Sequence, residues 1–94
     1  MRPSYDEFEL TESALRHGYD EEDFAEMLRG RHLVSRSRRG RLWGYEVLGR
    51  NLAGEYLLAA GRAVESGGTM VFRVFHLNRM TIAERRRFIR LVRP

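Results

Sequence analysis

The stretch FHLNRMTIAERRRF, residues 75–88, changes character at its middle and thereby decides the fold class. Its first residues end the run MVFRVFHL (70–77), which is typical of a β-strand. Thr81 and Glu84 then form the pattern T-x-x-E, a capping box in which each side chain accepts a hydrogen bond from the backbone of the other. The stretch therefore predicts a strand, a turn and a C-terminal helix that runs from Ile82 to about Val92.

Two shorter helices are predicted near the N-terminus. Thr11 can cap the segment ESALRH (12–17), and Asp20 can cap EEDFAEMLR (21–29), whose acidic first turn suits the positive end of a helix dipole. The segment FEL (8–10) is compatible with either a helix start or a short strand. Helical signals therefore dominate the first third of the chain.

Between these helices and the last strand, the pattern is that of a β-meander. HLVSRSRRGRLWGYEVLG (32–49) indicates two strands joined at a basic turn, and EYLLAAGRAV (55–64) indicates a central strand. With the strand at 70–77, this predicts an α+β fold of one domain, residues 1–94. We expect a small four-stranded antiparallel sheet, two short N-terminal helices and a C-terminal helix.

Side-chain alternation divides the predicted sheet into two faces. The face expected under the N-terminal helices is apolar and carries Trp43, Tyr45, Val47, Phe72 and Val74. The opposite face carries charged residues among apolar ones, namely Glu46, Arg50, Arg62 and Arg73.

The C-terminal helix also has an apolar stripe. At 100° per residue, an arc of about 120° contains four apolar side chains, Ile82, Phe88, Ile89 and Val92. Arg85 lies inside this arc, whereas Arg86 flanks it. The pattern predicts that Arg85 leans toward the sheet near the helix N-terminus, which favours anions, while Arg86 faces water or a polyanion.

Charge is distributed unevenly along the chain. All 17 basic residues are arginines, and residues 1–28 have a formal charge of −7 whereas residues 29–94 have +11. The second part could attract a polyanion, or the acidic helices could neutralise it in the folded protein. Every cation is a planar guanidinium, which suits phosphate but cannot act as a general base near neutral pH.

Several classes of function are disfavoured. Cysteine is absent, the three histidines are scattered, and no phosphate-binding loop or nucleophile elbow is present, so we expect no metal and no cofactor. No apolar run approaches the roughly 20 residues of a membrane span, and the acidic start of the chain is unlike a signal peptide. A cytoplasmic protein without a membrane contact is expected.

Three segments together resemble a known family. They are RHGYDEEDFAEML (16–28), GYEVLGRNLAGEYLLAAGRAV (44–64) and FRVFHLNRMTIAERRRF (72–88). In order and spacing they are similar to the BrnT family of bacterial type II toxins, which has a "KHG" segment, an acidic helix, a strand ending in "GR", a strand ending in an "SAR"- or "HAR"-like triplet, and an "ER"-rich helix. The resemblance covers Phe8 to Phe88. It implies a RelE-like fold and a growth-inhibiting ribonuclease whose neighbouring gene encodes a DNA-binding antitoxin.

The resemblance also implies site residues. Arg50 matches the "GR" arginine, Arg73 the arginine leading into the triplet, and Glu84 with Arg85 the "ER" of the helix. The triplet arginine falls on Asn78, where this sequence departs from the pattern. Arg79 follows, and it would point elsewhere if the strand continued, although a turn could re-aim it.

The implied chemistry is cleavage of RNA by its own 2′-hydroxyl without a metal. Arg50, Arg73 and Arg85 would clamp one phosphate, although each could instead be solvated or paired with a carboxylate. Glu46 could act as a base but is better explained as a partner of Arg50. His76 has a suitable pKa range but would equally suit a packed strand end. Further candidates for RNA contact are Arg62, Asn78, Arg79 and Arg86.

Three interpretations remain open from the sequence. The first is a toxin endoribonuclease that cleaves free RNA or messenger RNA on the ribosome, with a small ribbon-helix-helix-type antitoxin as its partner. The second is a catalytically impaired toxin-fold protein that mainly binds its antitoxin. The third is a basic nucleic-acid-binding module without chemistry.

Overall fold

Within residues 7–39 and 42–93, which a computed structural model of the chain describes, five strands form one sheet and three helices accompany it. The elements in chain order are β1 (Phe8–Leu10), α1 (Glu12–Leu15), α2 (Glu21–Arg29), β2 (Leu33–Arg39), β3 (Leu42–Arg50), β4 (Tyr56–Ser66), β5 (Thr69–Arg79) and α3 (Ile82–Leu91). The α+β class is therefore confirmed. The tip of the basic turn and the side chains of residues 37–43, including Trp43, lie outside the described part.

The sheet has the order β1-β5-β4-β3-β2. Strands β2 to β5 form the predicted antiparallel meander, but the prediction of four antiparallel strands was wrong because β1 adds a fifth, parallel to β5. Phe8 pairs with Phe72, and Thr11 N–H extends the ladder by donating to the Val74 carbonyl at 2.9 Å. A three-residue strand is too short to show periodicity, so its pairing was not evident from sequence.

One side of the sheet is covered by α1 and α2. Phe24 and Met27 of α2 are fully buried against Val47, Phe72 and other residues of the sheet. The Phe24 ring lies edge-on to Phe8, with centroids 4.7 Å apart, and 6.1 Å from the ring of Phe72. The apolar face predicted for Tyr45, Val47, Phe72 and Val74 is confirmed.

The other side of the sheet packs against α3. Phe88 is buried with Leu48, Leu58 and Ala60, and Ile89 and Val92 pack against this cluster. Ile82 was predicted in the same stripe, but its side chain is 73% exposed. Helix α3 therefore contacts the sheet through its later turns, while its first turn stands at the edge and holds Arg85 near the sheet.

The predicted helix caps are present at Thr11, Asp20 and Thr81. Helix α1 ends at Leu15, two residues earlier than predicted, and Gly18 follows with a φ of +89°, a value that favours glycine. None of the helices in the part of the chain that the structure describes is both long and apolar enough to cross a membrane.

Strand β5 is irregular and longer than predicted. Ala60 pairs with His76 while Gly61 pairs with Val74, so Phe75 forms a bulge. The bulge interrupts the regular alternation of side chains along the strand, and Leu77 joins Phe72 and Val74 in the buried cluster. The strand then continues through Asn78 and Arg79, which pair with Leu58 and Leu57.

Candidate functional site

Two of the predicted arginines meet at one aromatic ring. The guanidinium carbons of Arg85 and Arg50 lie 4.2 Å and 4.8 Å from the centroid of the Tyr56 ring, so they are no more than about 9 Å apart. Both distances are within the range of a cation–π contact. Arg50 and Tyr56 are cross-strand partners on β3 and β4, and Arg85 reaches the ring from α3. The prediction that Arg85 leans toward the sheet is confirmed.

The turn between β3 and β4 holds Arg50 in place. Arg50 Nε donates to the Gly54 carbonyl at 3.2 Å, and Gly54 N–H donates to the Asn51 carbonyl at 3.0 Å. Gly54 has a φ of +84°, and a Cβ there would lie 2.9 Å from Arg50 Nη2. The positive φ therefore favours glycine at this position, and a side chain there would make the Arg50 guanidinium shift.

Helix α3, which supplies Arg85, also contacts the Tyr56 ring and is capped at its start. Tyr56 packs edge-on against Phe88, with centroids 6.0 Å apart. Glu84 Oε1 accepts from Thr81 N–H at 2.7 Å, and Thr81 Oγ1 accepts from Glu84 N–H at 3.2 Å. Glu84 is thus the capping carboxylate, as predicted, and it anchors the helical turn that carries Arg85.

Asn51, which the sequence analysis did not single out, organises the turn. It is 7% exposed, and its Nδ2 donates to Asp23 Oδ1 at 3.1 Å and to Glu55 Oε1 at 3.3 Å. Its Oδ1 accepts from Glu55 N–H at 2.9 Å. Glu26 Oε1 adds a bond from Leu52 N–H at 2.8 Å. An asparagine at a turn is a signal for such side-chain to backbone bonds and could have pointed to this role.

Arg79 belongs to a separate polar group. Its Nε donates to the Tyr19 hydroxyl at 2.9 Å, this hydroxyl donates to Glu55 Oε2 at 2.8 Å, and Arg79 Nη2 lies 3.2 Å from the same carboxylate. The hydrogen bond from Tyr19 is the main cause that lowers the pKa of Glu55, while burial raises the pKa of Tyr19. The continued strand directs Arg79 to this group, toward the side of α1 and α2.

Two cavities flank the Tyr56 ring. The larger has a volume of about 750 Å³ and is lined by Glu26, Arg29, Gly30, Arg31, Arg50, Asn51, Leu52, Gly54, Tyr56, Phe88, Ile89, Val92 and Arg93. The smaller has about 330 Å³ and is lined by Gly54, Glu55, Tyr56, Arg79, Met80 and Arg85. Tyr56 lines both, with Arg50 on the wall of the first and Arg85 on the wall of the second.

Arg73 lies elsewhere. It forms an ion pair with Glu9, which lies opposite it on β1. On the other side of β5, the residue opposite Arg73 in the strand register is Arg62 of β4. Arg62 is six residues from Tyr56 along β4, which corresponds to about 20 Å in an extended strand. The expected convergence of three arginines is therefore not observed, and only Arg50 and Arg85 come together.

The remaining predicted residues are also away from the ring or engaged locally. Glu46 on β3 and His76 on β5 both lie opposite Ala60 of β4 in the strand register. Ala60 is four residues from Tyr56, which corresponds to about 13 Å along the strand. The His76 ring lies near that of His17, with centroids 5.9 Å apart. Asn78 Oδ1 accepts from Arg79 N–H at 2.8 Å.

Two further residues are a histidine and an exposed arginine. His32 has its Nδ1 2.9 Å from the Gly30 carbonyl oxygen. Arg86 is exposed on α3, as predicted.

No metal centre is apparent in the described ranges, since no three histidine, cysteine or carboxylate side chains lie together there. No protein-family model matches the chain, and no curated protein gives a significant match. Function is therefore inferred from the geometry of the site together with the motif resemblance.

Proposed function

We propose that this protein is the toxin of a type II toxin–antitoxin system and acts as a metal-independent endoribonuclease. The observation that supports this is the pair of guanidinium groups, Arg50 and Arg85, held over one tyrosine ring between two cavities. Each guanidinium can bind phosphate oxygens in a planar, bidentate manner, while the adjacent cavities leave room for the flanking nucleotides.

In the proposed reaction, the substrate's 2′-oxygen attacks the neighbouring phosphorus atom and the bond to the 5′-oxygen breaks. The 2′-hydroxyl loses its proton and the departing 5′-oxygen gains one, which leaves a 2′,3′-cyclic phosphate and a 5′-hydroxyl. Arg50 and Arg85 stabilise the extra negative charge on the phosphorane. Because arginine stays protonated throughout, these two residues bind and stabilise charge and do not shuttle protons.

The proposed macromolecular partner is the cognate antitoxin, a small ribbon-helix-helix-type protein, and the proposed substrate is RNA, free or on the ribosome. Support comes from charge: Arg50 and Arg85 are exposed, and residues 29–94 carry a formal charge of +11. Asp23 and Glu26 of α2 accept hydrogen bonds from Asn51 and Leu52 of the β3–β4 turn.

The test is induction of the chain alone in a bacterial host, followed by growth measurement and RNA analysis. The expected result is growth arrest with cleaved RNA that carries cyclic phosphate ends. Arg50→Ala and Arg85→Ala should each lower the cleavage rate by about 10²-fold, the usual cost of removing one charge-stabilising donor. Arg86→Ala, an exposed arginine on the same helix as Arg85, is the matched control and should retain activity.

Arg73→Ala separates the geometry from the motif resemblance. Because Arg73 is paired with Glu9 and distant from Tyr56, we expect its variant to keep the toxicity. Normal growth on induction of the unaltered chain would refute the proposed function. Equal toxicity of the Arg50, Arg85 and Arg86 variants would refute the proposed site.

A second candidate is a toxin-fold protein that binds RNA or its antitoxin without cleavage. It is favoured by Asn78, which replaces the arginine of the family triplet and is bonded to the Arg79 N–H. In that case the chain should form RNA complexes with a steep salt dependence and no cleavage products. Asn78→Arg should then restore cleavage.

A further inference from the structure

The larger cavity is lined by four arginines, one glutamate and several apolar side chains. Its four arginines, Arg29, Arg31, Arg50 and Arg93, favour an anion, and its volume of about 750 Å³ lies within the range of small-molecule sites. Three of these arginines have partners, since Arg29 pairs with Glu22 at 3.3 Å, Arg31 Nη1 donates to the Val92 carbonyl at 2.8 Å, and Arg50 donates through Nε to the Gly54 carbonyl. Arg50 connects this cavity with the phosphate site at Tyr56.

Apolar side chains make up much of the remaining wall. Ile89 of α3 and Val92 at the C-cap of this helix are half-buried and line the cavity next to Phe88. Leu52, in the β3–β4 turn, lines it as well and is 83% exposed, so its side chain is available for an apolar contact. A flat aromatic body that carries an anionic group would match both kinds of wall.

Glu26 is the one carboxylate among the described residues that line this cavity. Its Oε1 accepts from Leu52 N–H at 2.8 Å, which orients the carboxylate. A carboxylate offers about four acceptor positions, so Glu26 retains the capacity to accept from a ligand. Leu52 and Glu26 therefore place an apolar contact and a directed acceptor side by side.

The acceptor discriminates among the four RNA bases. On its Watson–Crick edge, guanine presents two adjacent donors, N1–H and the N2 amino group. Adenine and cytosine place an amino group beside an acceptor, and uracil places one N–H between two acceptors. A carboxylate binds adjacent donors well and is repelled by acceptors, because it has no proton to donate.

We propose that this cavity binds a guanine nucleotide, with Glu26 accepting from the base and Arg50 holding the phosphate that it shares with the Tyr56 site. The guanine ring lies against Leu52, Ile89 and Val92. The ligand class rests on the proposed function, and the preference for guanine rests on Glu26. The consequence is that cleavage sites on RNA are selected by a guanosine next to the scissile phosphate.

The test is titration of the whole chain with each of the four nucleoside 3′-monophosphates and with inorganic phosphate, followed by calorimetry or amide NMR shifts. Guanosine 3′-monophosphate should bind about tenfold more tightly than the other three, since one charge-assisted hydrogen bond accounts for about this factor. Glu26→Gln should abolish the preference, while its amide oxygen can still accept from Leu52 N–H. Glu21→Gln, an exposed glutamate on the same helix, is the control and should retain it.

A second variant tests whether the nucleotides bind in this cavity. Val92→Phe narrows the cavity and should weaken all four nucleotides several-fold, while inorganic phosphate binds unchanged. Equal affinities for the four nucleotides, or a guanine preference that persists in Glu26→Gln, would overturn the inference. These binding results are independent of growth arrest: selective guanine binding without toxicity refutes only the proposed function, and toxicity without base preference refutes only the subsite.

Discussion

Replacing Asn51 with alanine should destabilise the protein more than most single substitutions outside the apolar core. The side chain is 7% exposed and takes part in three hydrogen bonds, two of them to carboxylates of Asp23 and Glu55. Asn51→Ala removes all three and leaves the Glu55 N–H without its acceptor. A neutral hydrogen bond contributes about 1 kcal/mol and a charged one about 1.5–3 kcal/mol in favourable settings.

Because both carboxylates are partly exposed, we discount the charged bonds and expect a total loss of about 3 kcal/mol. For a domain of this size, such a loss lowers Tm by about 12–24 °C. It is also a large part of the roughly 5–15 kcal/mol that stabilises a typical domain. The measurement is thermal and urea-induced unfolding at pH 7, followed by circular dichroism.

Asn78→Ala is the matched control, because the Asn78 side chain is half-buried and accepts one bond, from Arg79 N–H. It should cost about 1 kcal/mol or less. Equal effects of the Asn51 and Asn78 variants, or a Tm of Asn51→Ala within about 3 °C of the unaltered protein, would refute the role of Asn51.

Asn51→Asp tests the electrostatic part of the same reasoning. It keeps one acceptor for Glu55 N–H but loses both donors and places a carboxylate beside Asp23 and Glu55. Like charges raise the folded-state pKa of the new carboxyl, so its destabilisation is greatest at neutral pH and decreases as pH falls through that raised pKa. We expect Asn51→Asp to be less stable than Asn51→Ala at pH 7 and to approach it in mild acid.

Two further predictions concern stability. The hydrogen bond from Tyr19 holds the pKa of Glu55 below its ordinary value of 4.5. The contribution of the Glu55 carboxylate to stability is therefore complete above that value and is lost as pH falls through the lower folded-state pKa. Glu55→Gln should flatten the decrease of Tm at acid pH, and an unchanged decrease would contradict this. Gly61→Ala should lower the free energy of unfolding in urea by about 2–3 kcal/mol, because its Cβ would overlap the Arg73 carbonyl oxygen. Gly30→Ala is the control and should be nearly neutral, because its Cβ would lie 3.9 Å from the Glu26 carbonyl oxygen.

Part of the site could be predicted from the sequence. The helical wheel placed Arg85 toward the sheet, and strand alternation placed Arg50 on the face that α3 covers; the structure has both at Tyr56. Neither pattern identified Tyr56 as the ring that both arginines contact. Tyr56 is the first residue of β4, directly after a turn, and the residues beside it are set by the β3–β4 register, in which it lies opposite Arg50.

Arg73 shows why residue type and face were insufficient. It was grouped with Arg50 and Arg85 because it shares their face and matches a motif. In the structure it pairs with Glu9, a residue 64 positions away on a strand that periodicity did not reveal. The conformation of the Arg73 side chain depends on a carboxylate that the fold brings next to it. No pattern in the sequence around Arg73 indicates this partner.

The sequence by itself determined the order of the elements that follow β1 and most of their ends, since capping residues, turn residues and hydrophobic periodicity act over a few positions. Thr81 with Glu84 and Asp20 with Asp23 start their helices through such local bonds. Only the tertiary structure decided that β1 runs parallel to β5, that Asn51 is buried, and that Arg50 and Arg85 share one ring. These features depend on strand register and on contacts between distant segments, which are fixed by the packing of the two apolar layers as a whole.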